Sequence, residues 1–178
     1  EFNSPRIACV IGDMYANRYK DSLAIIYYNK ALEADKECAP AMYGRAEVHR
    51  ANGNFPAYFE DICPFLANPT INPGMKIDYL KQIFQIPNFI NRFKYQLDSA
   101  MLGIEAAHPA DTTANLFLAS YYVERGNKEK GKELLTTTHI GNNLIVVALH
   151  KQTAHTRTKQ GMVINKGYFS SSFHFVLF

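Results

Sequence analysis

The chain has 178 residues, 47% of them apolar and 20% charged, which is enough apolar material for one core or one continuous array and argues against a disordered chain. The formal net charge of +3 is unevenly spread: all sixteen acids lie at or before Glu133, so the body carries −1 and the tail, with Lys151, Arg157, Lys159 and Lys166, carries +4. A near-neutral body argues against a nucleic-acid surface, which needs basic residues clustered on one face, and no run approaches the ~20 apolar residues of a membrane-spanning helix.

The first helical pattern covers residues 6–17, where Ile7, Ile11, Met14 and Tyr15 recur at three- and four-residue spacing behind Pro5. Gly12 sits in its middle, and a mid-helix glycine predicts close approach of another helix. Residues 21–34 continue the period through Leu23, Ala24, Tyr27, Tyr28, Ala31 and Leu32. A second pair follows at 39–51, with Met42, Ala46 and His49, and at 55–66, joined by the Asn52-Gly53-Asn54 corner. Pro64 predicts a kink or an early end of that helix near Ile62.

Two Asn-Pro steps within 67–74 punctuate the chain. Asn72 then serves as an N-cap with Pro73 at the first helical position. Residues 75–86 place Ile77, Leu80, Ile83 and Phe84 on one side, and Pro87 and Asn88 separate them from the longest amphipathic run, 89–107, with Phe89, Phe93, Leu97, Met101 and Ile104. Asp111 caps a last pair within 116–135, where Leu118, Ala119, Tyr122 and Leu135 face each other across the Gly126-Asn127 corner.

These residues carry a resemblance to the tetratricopeptide repeat family, whose 34-residue helical hairpins have small and aromatic residues at fixed offsets. Gly12, Tyr15, Ala24, Tyr28 and Ala31 match it in the first unit, Ala46 and Gly53 in the second, and Pro109, Ala119, Tyr122, Gly126 and Leu135 in the last. Lys36 stands in place of the family's proline, His49 and Tyr58 in place of tyrosine and alanine, and Gly131 in place of alanine. The third unit, which lacks the small residue in its first helix, is long and divergent. The resemblance implies an all-α, tetratricopeptide-type helical-hairpin solenoid of about four helix pairs over 5–135 (units 5–38, 39–72, 73–109 and 110–135). An irregular or weakly β tail follows over 136–178.

For function the resemblance implies a scaffold that binds a peptide or helix of a protein partner in a concave groove, with no cofactor and no catalysis. The groove positions carried over are Asp13, Asn17, Tyr43, Glu47, Arg50, Leu116, Ser120 and Glu124. Their mixed charge suits an extended peptide rather than a phosphate or nucleic acid; the alternative is an ordinary solvated face. Cys9 and Asp13 stand where carboxylate-clamp members carry lysine and asparagine, so the chain does not resemble that subclass. The turn over 59–73 resembles bacterial repeat proteins of the cell envelope, which favours periplasm or envelope over cytoplasm. The chain begins with Glu1 and shows no signal peptide, the expectation for a fragment or processed product; an architectural module of a larger chain, packing against that chain's other domains, is therefore the second functional reading.

Other constellations are weak. Cys9, Cys38 and Cys63 have neither a CxxC spacing nor an even count, which predicts free thiols, not a zinc site or a disulfide framework. The pairs His49 with Glu47 and Cys63 with Asp61 are two residues apart and cannot face each other on a helix. His139, His150 and His155 lack a helix-face spacing and a nearby acid for a metal. The acid-free tail leans toward β at 144–147 and 168–178, and three readings of it compete: a hairpin around Asn165-Lys166-Gly167 that covers the last repeat, a disordered segment, or an ending foreign to the family.

Overall fold

A computed structural model of the chain describes residues 4–137. The tail readings, and the three histidines at 139, 150 and 155, lie outside the described residues. Within them the protein is all-helical: α1 (Pro5–Ala16), α2 (Asp21–Ala34), α3 (Ala39–Ala51), α4 (Phe55–Ala67), α5 (Pro73–Phe84), α6 (Phe89–Arg92), α7 (Lys94–Ala107), α8 (Thr112–Glu124) and α9 (Lys128–Thr137). The helices α1 and α2, α3 and α4, and α8 and α9 pack as hairpins. Between them, α1 touches α3, α5 touches α8, and α4 lies along α7.

Local chemistry sets most of the boundaries. Gly53 and Gly126 adopt φ of 71° and 86° at the two tight corners, a left-handed conformation that only glycine enters without a Cβ penalty. Asn54, Asn72 and Asp111 cap α4, α5 and α8 by accepting from the backbone N–H of Ala57, Gly74 and Ala114, which satisfies donors that the first turn leaves open.

Two expectations about helix ends are corrected. Of the kink or early end expected near Ile62, the early end does not occur: the helix α4 runs to Ala67 with Pro64 inside. Pro64 and Glu60 are both exposed, so the carbonyl that loses its partner faces water, while Phe65 and Leu66 beyond it are buried. Burying those two side chains, at roughly 1.5–3 kcal/mol each, offsets the proline's ~3 kcal/mol. Conversely, the run 89–107 is not one helix: Phe93, at φ −115° and ψ 35°, separates α6 from α7. The break lets Phe89 and Phe93 both turn inward, 3% and 8% exposed.

The third pair shows why its sequence departs from the others. Lacking a small residue where the helices would cross, α5 and α7 do not pack closely. The space beside them is filled by the rings of Phe55, Tyr58, Phe59, Phe89 and Phe93, at centroid distances of 4.5–6.3 Å. Gly131, the departure in the last pair, has a similar explanation, since a Cβ there would lie 3.2 Å from the Ala119 carbonyl and run into Val123.

The core is in two parts. The larger one gathers Ile62, Leu66, Ile77, Leu80, Leu97, Met101, Ile104 and Leu118 around the aromatic group. A smaller one, built from Cys9, Ala24, Tyr28, Ala31, Cys38, Ala41 and Val48, holds α1–α3. In the first helix the buried residues are Cys9 and Gly12; Ile7, Val10 and Met14, of which the first and last belong to the apolar pattern, are 43–54% exposed.

Candidate interaction surface

The first helices of the pairs form a continuous row: α1 packs on α3, Tyr43 and Glu47 of α3 reach Tyr79 of α5, and α5 packs on α8. On α3 the steps of four and three between Tyr43, Glu47 and Arg50 put all three on one face. The Glu47 carboxylate accepts from Nε and Nη2 of Arg50 at 2.9 and 2.7 Å, and from the Tyr79 hydroxyl at 2.8 Å. With its proton committed to Glu47, Tyr79 accepts from Tyr58, whose hydroxyl lies 2.9 Å away. Burial drives the pKa of both tyrosines far above that of a free phenol, and the Glu47 carboxylate holds Arg50 firmly charged. The network is therefore a fixed floor of protonated phenols and one ion pair, with nothing poised to exchange a proton near neutrality. Above it Tyr43, 38% exposed, rests edge-on to Tyr79 and tilted against Phe65, each at 5.4 Å.

At the other end of the row is a cleft of about 340 Å³. Its apolar wall is Phe84 of α5, Ile90 of α6 and Phe117 of α8, with Phe84 stacked on Phe117 at 5.9 Å and on Tyr121 at 6.0 Å. Its polar rim is Asn91, Lys94, Ser120, Glu124 and Arg125. Tyr121 donates to Asp98 at 2.7 Å, and Arg125 pairs with the same carboxylate at 3.2 Å while lying over the Tyr121 ring. Ser120 spends its proton on the Leu116 carbonyl at 3.1 Å. Nearby side chains desolvate the Glu124 carboxyl and push its pKa up.

Of the positions expected to line a groove, the structure thus brings Tyr43, Glu47 and Arg50 together, and separately Ser120 and Glu124. Leu116 is half-buried against the main core. Asp13 and Asn17 stay on the first hairpin, where Asp13 accepts from the Tyr28 hydroxyl at 2.7 Å and the Asn17 N–H closes α1 onto the Asp13 carbonyl. Sequence reasoning missed Tyr79 and the cleft wall. Tyr79 lies 36 residues after Tyr43, close to one repeat, and that spacing was its available signal; Ile90 and Lys94 enter only because the chain breaks at Phe93.

Two titratable pairings join residues distant in sequence. Asp61 is buried and gripped by Arg45 through Nε, at 2.8 Å, and Nη2, while Arg45 also donates to Asn29. His49 stands 4.0 Å from the same carboxylate, too far for a hydrogen bond, so the His–Asp pairing is part of the α3–α4 packing. Lys76, fully buried, donates to the Asn68 carbonyl at 2.6 Å and to His108 Nε2 at 2.8 Å. Burial lowers the Lys76 pKa to about 8; burial and then the Lys76 charge lower that of His108. His108 is accordingly neutral, its Nε2 lone pair facing the ammonium.

Among the described residues no group of three or more His, Cys, Asp or Glu side chains could hold a metal ion, and no helix is long and apolar enough to cross a membrane. Compared with protein-family models, curated proteins and solved structures, the chain matches none of them.

Proposed function

We propose that the chain is a protein-interaction scaffold of the tetratricopeptide type, which receives an extended or helical segment of a protein partner along the α1–α3–α5–α8 row. The observation that carries this reading is the cleft at Phe84, Phe117, Ser120 and Glu124, an aromatic recess with charges of both signs at its rim, on the same row as the exposed Tyr43 ring. An apolar anchor of the partner fills the recess, and Lys94, Glu124 and Arg125 set its register. Binding is non-covalent. Photo-crosslinking from a benzophenone side chain placed at Asn91, exposed at the rim of the cleft, recovers the partner. Ser120→Arg combined with Tyr43→Ala then weakens its binding about tenfold or more; equal affinity of the double variant and the parent chain overturns the groove.

A second reading, an architectural module of a larger chain that packs against that chain's other domains, is supported by a different surface. Ile7, Val10 and Met14 on α1 and Leu23 and Ile26 on α2 are all 39–54% exposed, an apolar grouping of the kind that marks contact surfaces. Specific, saturable binding of a separate protein by this chain in solution, with an affinity unchanged by Val10→Glu, overturns this reading.

A further inference from the structure

Cys9 and Cys38 stand 29 positions apart in the chain, yet their Sγ atoms are 3.5 Å apart, both buried. Each is brought there by a separate element. Cys9 is one of the two residues that α1 turns inward, and Cys38 ends the α2–α3 turn as the N-cap of α3. Around them are Ala24, Tyr28, Ala31 and Ala41, and small side chains leave the two sulfurs facing each other. A disulfide needs the sulfurs at about 2.05 Å, a closure of roughly 1.5 Å that side-chain rotation and a small shift of α1 can supply.

We propose that Cys9 and Cys38 are a reversible dithiol/disulfide site, closed by exchange with a small-molecule or protein disulfide and bolting α1 to the start of α3. Exchange begins at Cys38, in the turn. Its thiolate attacks the sulfur–sulfur bond of the oxidant, a mixed disulfide forms, and one thiol leaves with a proton. Cys9, having given its proton to solvent, attacks the Cys38 sulfur and expels the second thiol. The protein loses two protons and two electrons, and the oxidant is reduced to two thiols.

The surroundings set the rate and the direction. Burial first, then the neighbouring Cys38 sulfur and the carboxylates of Asp13 and Asp35, hold the Cys9 pKa well above the ordinary thiol value. The closed step is therefore slow near neutrality and faster as pH rises, because only the thiolate attacks. Once formed, the bond is neutral, so it relieves a site where the Cys9 thiolate would be buried beside like charge. Cys63, half-buried on α4, is outside this pair.

The test equilibrates the whole folded chain in glutathione buffers of increasing oxidised fraction at about pH 8, quenches with acid, and counts thiols after unfolding. The expected product is lighter by two hydrogens, retains the Cys63 thiol, gives one cross-linked Cys9–Cys38 peptide, melts higher than the reduced form, and reverts with dithiothreitol. Cys38→Ser and Cys9→Ser each abolish that product, whereas Cys63→Ser leaves it intact. Three free thiols persisting at a poise that fully oxidises a reference dithiol overturns the proposal. So does a glutathione adduct that accumulates at Cys38 without closure, or a Cys9–Cys38 bond that forms only in denaturant.

Discussion

The small core under α1–α3 and the large core that runs from α3 to α9 solve the same packing problem by opposite means. In the first, Tyr28 lies between two glycines: a Cβ on Gly12 would come within 2.7 Å of its ring and one on Gly44 within 2.5 Å. Alanines at 24, 31 and 41, all fully buried, do the rest. Close backbone approach leaves little volume to fill, so few large side chains are needed. In the second, α5 and α7, which do not pack closely, are held by bulk, with aromatic rings and long aliphatic chains filling the gap beside them. The two should therefore fail differently: one is sensitive to added atoms, the other to lost ones.

The largest expected effect is on the bulky side of this comparison. Phe89 is 3% exposed and its ring meets those of Phe55, Tyr58, Phe59 and Phe93. Phe89→Ala should cost about 3–5 kcal/mol in denaturant unfolding, as a large-to-small change in a filled core does. A cost under about 1 kcal/mol would mean the ring cluster collapses freely, and the contrast with the small core would disappear.

Next comes the charge that the large core tolerates. Burial lowers the Lys76 pKa from the ordinary lysine value of 10.5 to about 8, so the unfolded chain binds the extra proton between those values and stability rises with pH across that window. The gain should be of order 2 kcal/mol by about pH 10. Above pH 10 the buried tyrosines act the other way: Tyr28, Tyr58, Tyr79 and Tyr121 keep their protons in the fold longer than in the unfolded chain, and stability falls. The parent chain minus Lys76→Met isolates the lysine, and the rise between pH 8 and 10 should vanish in the variant. The same sign holds for His108, whose lowered pKa means stability is lost as pH falls below the ordinary histidine range.

Much of this was legible in the sequence because it is local. Caps at Asn72 and Asp111, corners at Gly53 and Gly126, and a closely approached Gly12 each follow from the chemistry of one residue and its neighbours. What failed was non-local. Pro64 is a breaker by local rule, and only the burial of Phe65 and Leu66 carries the helix past it. The period through Phe89, Phe93 and Leu97 is helical, yet the gap beside α5 draws two rings inward and breaks it. The candidate surface divided the same way: Tyr43, Glu47 and Arg50 share one helix and could be grouped by period. The cleft needed the placement of α5, α6 and α8 in space. Pairings such as Lys76 with His108, or Cys9 with Cys38, link residues about thirty positions apart that no spacing rule connects.

The smallest effect is the one whose sign decides most. Gly44 lies inside α3, where replacing glycine by alanine should by propensity alone stabilise the helix by about 1 kcal/mol. The added methyl, however, would sit 2.5–2.7 Å from the Tyr28 ring and hydroxyl, and that ring is pinned by its 2.7 Å hydrogen bond to Asp13 and by Gly12 on its other side. Overpacking at about 1–3 kcal/mol outweighs the propensity gain, so Gly44→Ala should lower stability by a net ~1 kcal/mol, read from the denaturation midpoint at unchanged slope. Ala24→Leu, at a fully buried position of the same core, should move it the same way; Ala46→Leu, equally buried where α3 meets the large core, should overpack there too. Shortening the ring side chain by Tyr28→Leu in the Gly44→Ala background should recover part of the loss, because it removes the atoms that the methyl meets. A stabilising Gly44→Ala would mean that α1 and α3 stand far enough apart for Tyr28 to yield, and the small core would then be packed no more closely than the large one.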